Sequence, residues 1–124
     1  MAVLRSLVID CAHPAALARF WAGVLDGYRV RDYDRAEIDR LAALGHTPES
    51  DPSVAVDGPG PGFFFTRVPE GKVTKNRMHM DIEVRDRTAA VATLTERGAR
   101  IVQELPAWTV MADPEGNEFC VFPQ

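Results

Sequence analysis

Two stretches of the chain follow the same plan, 73 positions apart. In the first, a short apolar strand at residues 7–11 runs into a helix that His13-Pro14 opens and Gly27 closes. In the second, the strand at 79–84 runs into a helix from Asp86 to Gly98. Apolar residues recur at helical spacing inside the helices and alternate with polar residues in the second strand. The chain therefore predicts two copies of one βαβββ unit.

The last segment predicts a β-hairpin. Apolar runs at 108–112 and 118–122 flank the sequence Asp-Pro-Glu-Gly-Asn at 113–117. Asp-Pro is typical of a turn start, and Gly-Asn tolerates the positive φ that a tight turn requires. The hairpin supplies the last two strands of the second unit.

The middle of the chain adds two strands and one element outside the repeat. Ile38, Leu41 and Leu44 have helical spacing within 34–44, which predicts an extra helix that ends at Gly45. Residues 47–52 are predicted as loop. Strands are predicted at 53–57 and 63–68, joined by a Gly/Pro-rich turn.

Composition limits the class of protein. The chain has 124 residues, of which 46% are hydrophobic and 26% are charged, and its formal net charge is −4. These values are typical of one soluble domain, and no basic patch suggests a nucleic-acid partner. No apolar run is long enough to span a membrane, and no signal peptide is evident. Cys11 and Cys120 are expected to be reduced thiols in a cytoplasmic protein.

In the order of these motifs, the chain resembles the vicinal oxygen chelate family, which comprises the glyoxalase/bleomycin resistance/dioxygenase proteins. The resemblance lies in the opening of residues 7–27, the second helix, the hairpin, and Val68-Pro69-Glu70-Gly71-Lys72 with Lys75-Asn76-Arg77 and His79-Met80-Asp81. These last sequences are similar to the glyoxalase-like subgroup. The resemblance implies an α+β fold in which two βαβββ repeats form an open, eight-stranded, cup-shaped sheet with helices on its outer face.

The same resemblance implies how the chain is organised. It predicts one glyoxalase-like domain over residues 1–124, with repeat one at about 4–68, a linker at 69–76 and repeat two at about 77–124. Single domains of this kind commonly pair, so a homodimer is expected, and unpaired sheet edges give a physical motive for it.

Metal-dependent relatives hold a divalent ion with side chains from the first and last strands of each repeat. Carried onto this chain, the resemblance places Ser6, Phe65, His79 and Cys120 at those positions. An open catalytic site needs about three protein ligands. His79 is the only strong candidate, and Cys120 could ligate only if a third group such as Asp10 or Asp81 joined it. We therefore expect no resident cofactor, with a divalent metal as the alternative.

His79 and Asp81 are the candidate catalytic residues. His79 can act as a general base or a ligand donor, or it can be a satisfied polar residue that anchors the sheet beside Asp81. Alternation places His79, Asp81 and Glu83 on one face, with Asp10 at the place equivalent to Glu83. Two of these carboxylates could share a proton in the cleft, or each could accept hydrogen bonds from linker groups such as Asn76 and Arg77.

Two functions follow from the resemblance. The first is binding or sequestration of a small organic molecule, or metal-free chemistry on it, in a cleft with aromatic walls. The second is a divalent-metal-dependent lyase, isomerase or dioxygenase that uses His79. The candidate ligand-binding residues are Ser6, Asp10, Phe65, Trp108 and Cys120.

Overall fold

The computed structural model describes all 124 residues and has an α+β fold. It contains two compact units, Met1–Gly71 and Lys72–Gln124, whose boundary lies inside the predicted linker. The elements of the first unit are β1 (Ser6–Cys11), α1 (Pro14–Val24), β2 (Arg29–Val30), α2 (Arg35–Ala43), β3 (Ser53–Asp57) and β4 (Gly62–Arg67). Those of the second unit are β5 (Met80–Val84), α3 (Arg87–Glu96), β6 (Arg100–Glu104), β7 (Thr109–Ala112) and β8 (Glu118–Pro123).

Each unit contains a four-stranded mixed sheet with the same topology. The strand order is β1-β4-β3-β2 in the first unit and β5-β8-β7-β6 in the second. The first strand pairs parallel to the last in both, and the remaining pairs are antiparallel. The N-caps of α1 and α3 are His13 and Asp86, which are 73 positions apart. The two predicted βαβββ repeats are confirmed.

The core of the first unit lies between α1 and one face of its sheet. Pro14 lies in the first turn of α1, where the missing N–H costs no hydrogen bond. The apolar stripe of α1 then packs against β2, β3 and β4. The buried side chains include Leu17, Phe20, Trp21, Val54, Val56, Phe63 and Phe65. Phe20 and Trp21 meet edge to face, with their ring centroids 5.3 Å apart.

The second unit has a smaller core under a less deeply buried helix. Leu94 is the one buried residue of α3, which packs on β6 and β8. The other buried apolar side chains of this unit are Ile82, Ala99, Met111, Phe119, Cys120 and Val121, with Ala112. All five residues of β6, an edge strand of its sheet, are exposed.

The Asp113 turn joins β7 to β8 as the hairpin motif predicts. The Asp113 side chain is buried and accepts hydrogen bonds from the Glu115 and Asn117 backbone N–H groups and from Asn117 Nδ2, at 2.9, 3.0 and 3.0 Å. Gly116 has φ +89°, a conformation that an L side chain rarely adopts. These local bonds fix the register of the hairpin.

The extra helix of the first unit is also confirmed, as α2 with Asp34 as its N-cap. Residues Pro48–Ser50, predicted as loop, form one 3-10 turn that Thr47 and Ser50 cap reciprocally. Arg19 of α1 forms a two-bond ion pair with Glu49 of this turn, both bonds being 2.8 Å. The inserted segment is thereby attached to α1. None of the helices combines the length and apolar character needed to cross a bilayer.

Candidate functional site

Each sheet has an open face, which we define as the face opposite its α1 or α3 core. Alternating burial identifies it: Val8 of β1 is 62% exposed, and Asp10, Asp81 and Glu83 are also exposed. The neighbouring Cys11 and Ile82 are buried. The predicted orientation of the β1 and β5 side chains is therefore the one observed.

A three-residue cluster lies on the open face of the second sheet. Asp81 of β5 is directly opposite Cys120 of β8 in the parallel register. His79 Nε2 lies 3.2 Å from Asp81 Oδ1. One potential ligand atom from each of His79, Asp81 and Cys120 lies within 4.8 Å of the other two. The candidate catalytic pair and Cys120 thus converge, and Asp81 supplies the third group that the sequence left open.

The three side chains of the cluster differ in exposure to solvent, and this difference determines the protonation state of Cys120. The side chains of His79 and Asp81 are 42% and 59% exposed, whereas Cys120 is buried. Burial raises the pKa of the Cys120 thiol, and the negative charge and hydrogen bond of Asp81 raise it further. In the absence of a metal, Cys120 is a protonated thiol rather than a nucleophilic thiolate.

Trp108 lies beside this cluster on the same sheet. It immediately precedes β7 and stacks on Phe122 of β8, with ring centroids 5.6 Å apart and planes inclined by 24°. Phe122 is opposite Glu83 in the β5–β8 register, one alternation from the Asp81–Cys120 pair. The open face of the second sheet therefore combines a polar cluster with a stacked aromatic pair.

The structure places Phe65 in the core rather than on an open face. Phe65 is 0% exposed and stacks on Phe63, with ring centroids 6.2 Å apart. The repeat offset matches Val8 to Asp81, and β4 places Phe64 opposite Val8. Phe64 is therefore the residue equivalent to Cys120. The resemblance placed Phe65 at this position, one residue away from Phe64. Three consecutive phenylalanines give no sign of which ones face inward.

Ser6 and Asp10 lie on β1, at the edge of the first sheet. Ser6 is opposite Gly62, and Asp10 is opposite Thr66. Thr66 Oγ1 lies 3.3 Å from Ser53 Oγ on the next strand. The open face of the first sheet thus has a polar row at one end and the Phe64 ring near its middle.

A pocket of about 250 Å³ lies on this open face. We call it the α2 pocket, because α2 and the segments that flank it provide most of its wall. Its lining residues are Arg31, Asp32, Tyr33, Glu37, Arg40, Asp51, Ser53, Ala55 and Phe64. The second repeat has no counterpart of α2. The pocket therefore arises from the one element that the repeat does not duplicate.

Hydrogen bonds hold the polar wall of the α2 pocket in place. Arg31 donates from Nε and Nη2 to the two carboxylate oxygens of Asp57, at 2.9 and 2.8 Å. Its guanidinium carbon lies 5.7 Å from the centroid of the Phe64 ring. Tyr33 Oη donates to Asp51 Oδ2 at 2.7 Å, and burial together with this bond raises the pKa of the Tyr33 phenol. Tyr33 is therefore a proton donor and not a base near neutral pH.

No sequence motif points to Arg31, Tyr33, Asp51 or Phe64 as pocket residues. Arg31, Tyr33 and Asp51 lie in the segment 31–52, which carries no repeat pattern and no motif. Phe64 lies in a run of three phenylalanines that the sequence does not distinguish. The length of this segment is a signal in itself. A connection of 22 residues between β2 and β3 is long for a compact domain, and long connections often carry binding residues.

The family model of the glyoxalase-like domain matches residues 6–122. The chain belongs to the glyoxalase-like domain family. Its two βαβββ units have the fold of solved glyoxalase/bleomycin resistance/dioxygenase proteins. No curated protein sequence matches the chain.

Solved structures share the fold of this glyoxalase-like chain at low sequence identity. The fosfomycin resistance protein FosX from Mesorhizobium loti is 12% identical, with a TM-score of 0.68 over 98% of this chain and 91% of its own. A glyoxalase/bleomycin resistance protein/dioxygenase family enzyme from Burkholderia phytofirmans is 15% identical, with a TM-score of 0.66 over 98% of both chains. The trypanothione-dependent glyoxalase I of Leishmania major is 18% identical, with a TM-score of 0.62 over 99% and 87%.

Proposed function

We propose that this glyoxalase-like protein binds a small organic molecule in the α2 pocket. The observation that carries the proposal is the pocket itself, about 250 Å³ on the open face of the first sheet. Ligand pockets for drug-sized molecules are about 300–1,000 Å³, so the α2 pocket suits a molecule of roughly single-ring size.

The walls of the α2 pocket have the composition of a binding site. Phe64 and Ala55 supply apolar surface, while Tyr33, Asp51 and Arg31 supply polar groups that hydrogen bonds already orient. Preformed polar groups reduce the entropy lost when a ligand binds. The raised pKa of the Tyr33 phenol makes it a poor nucleophile although it lies beside the Asp51 carboxylate, so binding or sequestration accounts for this geometry better than turnover.

Filling the α2 pocket is expected to abolish binding. Single-ring compounds are screened by ligand-detected NMR against the wild-type protein and Ala55→Phe, whose added ring would occupy the pocket. We expect a subset of compounds to bind the wild type at millimolar or tighter Kd and to bind Ala55→Phe at least tenfold more weakly. Ala92→Phe, at an exposed position of α3, is the matched control and should bind like the wild type. Hits that bind all three proteins equally would contradict the proposal, as would a screen without hits.

The His79–Asp81–Cys120 cluster supports a second candidate function, a divalent-metal site. Its imidazole, carboxylate and thiol are a donor set that suits Zn²⁺, and three protein ligands plus an exchangeable water is the arrangement of open catalytic sites. The residues present fit such an ion, which would supply a Lewis acid when bound. Binding would displace the proton from the Cys120 thiol, because a cysteine coordinates a metal as its thiolate.

Metal loading tests this second candidate. The protein is incubated with Zn²⁺, Fe²⁺, Ni²⁺ or Mn²⁺, desalted and measured by elemental analysis, and Co²⁺ is added separately to detect the charge-transfer absorption of a cobalt–thiolate bond. A metal site predicts about one ion per chain, lost in His79→Ala and Cys120→Ser. His46→Ala, which removes a histidine from another loop, is the control. Substoichiometric metal that none of these variants changes would leave the small-molecule proposal alone.

A further inference from the structure

The Asp51 carboxylate is buried in the wall of the α2 pocket without an ion-pair partner. The residue is 5% exposed. Its Oδ2 accepts the hydrogen bond from Tyr33 Oη at 2.7 Å, and its Oδ1 accepts one from the Ser53 backbone N–H at 2.9 Å. Both donors are neutral. Buried carboxylates are usually paired with a cation, so Asp51 is an unusual feature of this wall.

The arginines that line the α2 pocket do not supply the missing charge. Arg31 is bound through two nitrogens to Asp57, and Arg40 is bound through two nitrogens to Glu37. Each of these cations is matched by its own carboxylate. Glu37 and, more weakly, Asp51 raise the pKa of Arg40, but the ion pair of Arg40 is with Glu37. The charged groups of the pocket and their partners therefore leave one negative charge in excess, at Asp51.

Asp51 also lines a second, smaller cavity. This cavity has a volume of about 170 Å³, and the first turn of α1, Glu49 and Arg67 line it as well. Glu49 is paired with Arg19, while the side-chain hydrogen bonds of Asp51 are those from Tyr33 and Ser53. Because Asp51 lines the α2 pocket too, its carboxylate borders the space that a ligand would occupy.

The aromatic floor of the α2 pocket suits a positive group. The Arg31 guanidinium carbon already lies over the Phe64 ring, 5.7 Å from its centroid, so the face of this ring accepts a cation. A carboxylate has about four lone-pair positions, and only two of those on Asp51 are used by Tyr33 and Ser53. An added donor can therefore approach Asp51 without breaking either existing bond.

We propose that the ligand of the α2 pocket is a small organic cation, a protonated amine whose ammonium group binds Asp51 and whose apolar part lies against Phe64. This inference rests on the proposed function, because it names the chemical class of ligand for the same pocket. The raised pKa of Tyr33 is consistent with it, since a protonated phenol keeps the carboxylate oriented as an acceptor.

Three compounds of matched size and different charge test the inference. Benzylamine is a cation at neutral pH, benzyl alcohol is neutral and benzoate is an anion. Their Kd values are measured by titration with amide NMR spectra of the wild-type protein. We expect benzylamine to bind at least tenfold more tightly than benzyl alcohol, with benzoate the weakest. The variant Asp51→Asn, which keeps the size and an acceptor, should lose the preference for the amine.

The controls separate this inference from the proposed function. Asp39→Asn removes a carboxylate outside the pocket, one that is exposed and paired with Arg35, and should keep the amine preference. If Asp51→Asn does not fold, the wild-type titration gives a second readout: benzylamine should shift the amide signals of Asp51 and Ser53 most, and shifts confined to other residues would overturn the assignment to Asp51. Tighter binding of the alcohol or of benzoate would overturn the cation class while the pocket stands. Binding of no compound, here and in the fragment screen, would overturn both.

Discussion

Phe65→Ala is expected to lower the free energy of unfolding by about 3–5 kcal/mol, the usual cost of deleting a fully buried aromatic side chain. Phe65 is 0% exposed, stacks on Phe63, and lies between Ile9 and Val54 in the sheet register. Alanine would leave a cavity in the centre of the first core that the surrounding strands cannot close. Chemical denaturation followed by far-UV circular dichroism measures the change.

Phe64→Ala is the matched control, one residue away on the other face of β4. Phe64 is half-buried and contributes to the α2 pocket rather than to the core. We expect its loss to cost about 1 kcal/mol of stability and to weaken binding of any α2-pocket ligand. Equal destabilisation by the two variants, or a larger effect at Phe64, would mean that the faces of β4 have been assigned the wrong way round.

Glu118→Gln is expected to lower the free energy of unfolding at neutral pH by about 2–3 kcal/mol. The Glu118 side chain is 19% exposed and accepts bonds from Lys72 Nζ at 2.8 Å and from the Asn76 backbone N–H at 2.9 Å. Partial burial acts to raise the pKa of Glu118, but these hydrogen bonds and the Lys72 charge outweigh it, and the pKa falls to about 2. The pair attaches the segment before β5 to β8 within the second unit.

The pH dependence of this effect has a definite sign. The folded-state pKa lies below the ordinary glutamate value of 4.5, so the stabilisation is fully present above about pH 4.5. It declines as the pH falls through this range and is lost near pH 2. Denaturation between pH 2 and 7 should show the wild type and Glu118→Gln converging at the acid end.

Glu49→Gln is the control for the Glu118 prediction. Glu49 is also paired with a cation, Arg19 at 2.8 Å, but its side chain is 70% exposed. Exposed ion pairs are screened by water and contribute little, so this variant should leave stability close to that of the wild type. A Glu118→Gln protein with the stability and acid profile of the wild type would show that the Lys72–Glu118–Asn76 contacts add nothing.

Much of the fold followed from short-range patterns. The helix starts at His13 and Asp86, 73 positions apart, predict the two repeats, because helix starts and strand alternation depend on neighbours within a few positions. The Asp113 turn was predictable for the same reason, since every bond that shapes it lies within four residues. The homodimer and the cytoplasmic location stay predictions.

Part of the candidate site also follows from a local pattern, and part depends on strand pairing. The alternation of β5 placed His79 and Asp81 on one face, but only strand pairing showed that Cys120, about 40 residues further on, lies opposite Asp81. The aromatic run 63–65 does not show which of its side chains face the core. The three side chains are alike, and the orientation of β4 depends on its contacts with α1 and β3.

The sequence by itself determined the two repeats, the hairpin and the extra helix, since local hydrogen bonding and hydrophobic periodicity encode them. Only the tertiary structure decided which phenylalanine faces the core and that α2 walls a pocket over β3 and β4. It also decided that Asp51 is buried there beside neutral donors. These features depend on contacts between residues far apart in the chain, and no single-sequence pattern records which distant side chains will meet.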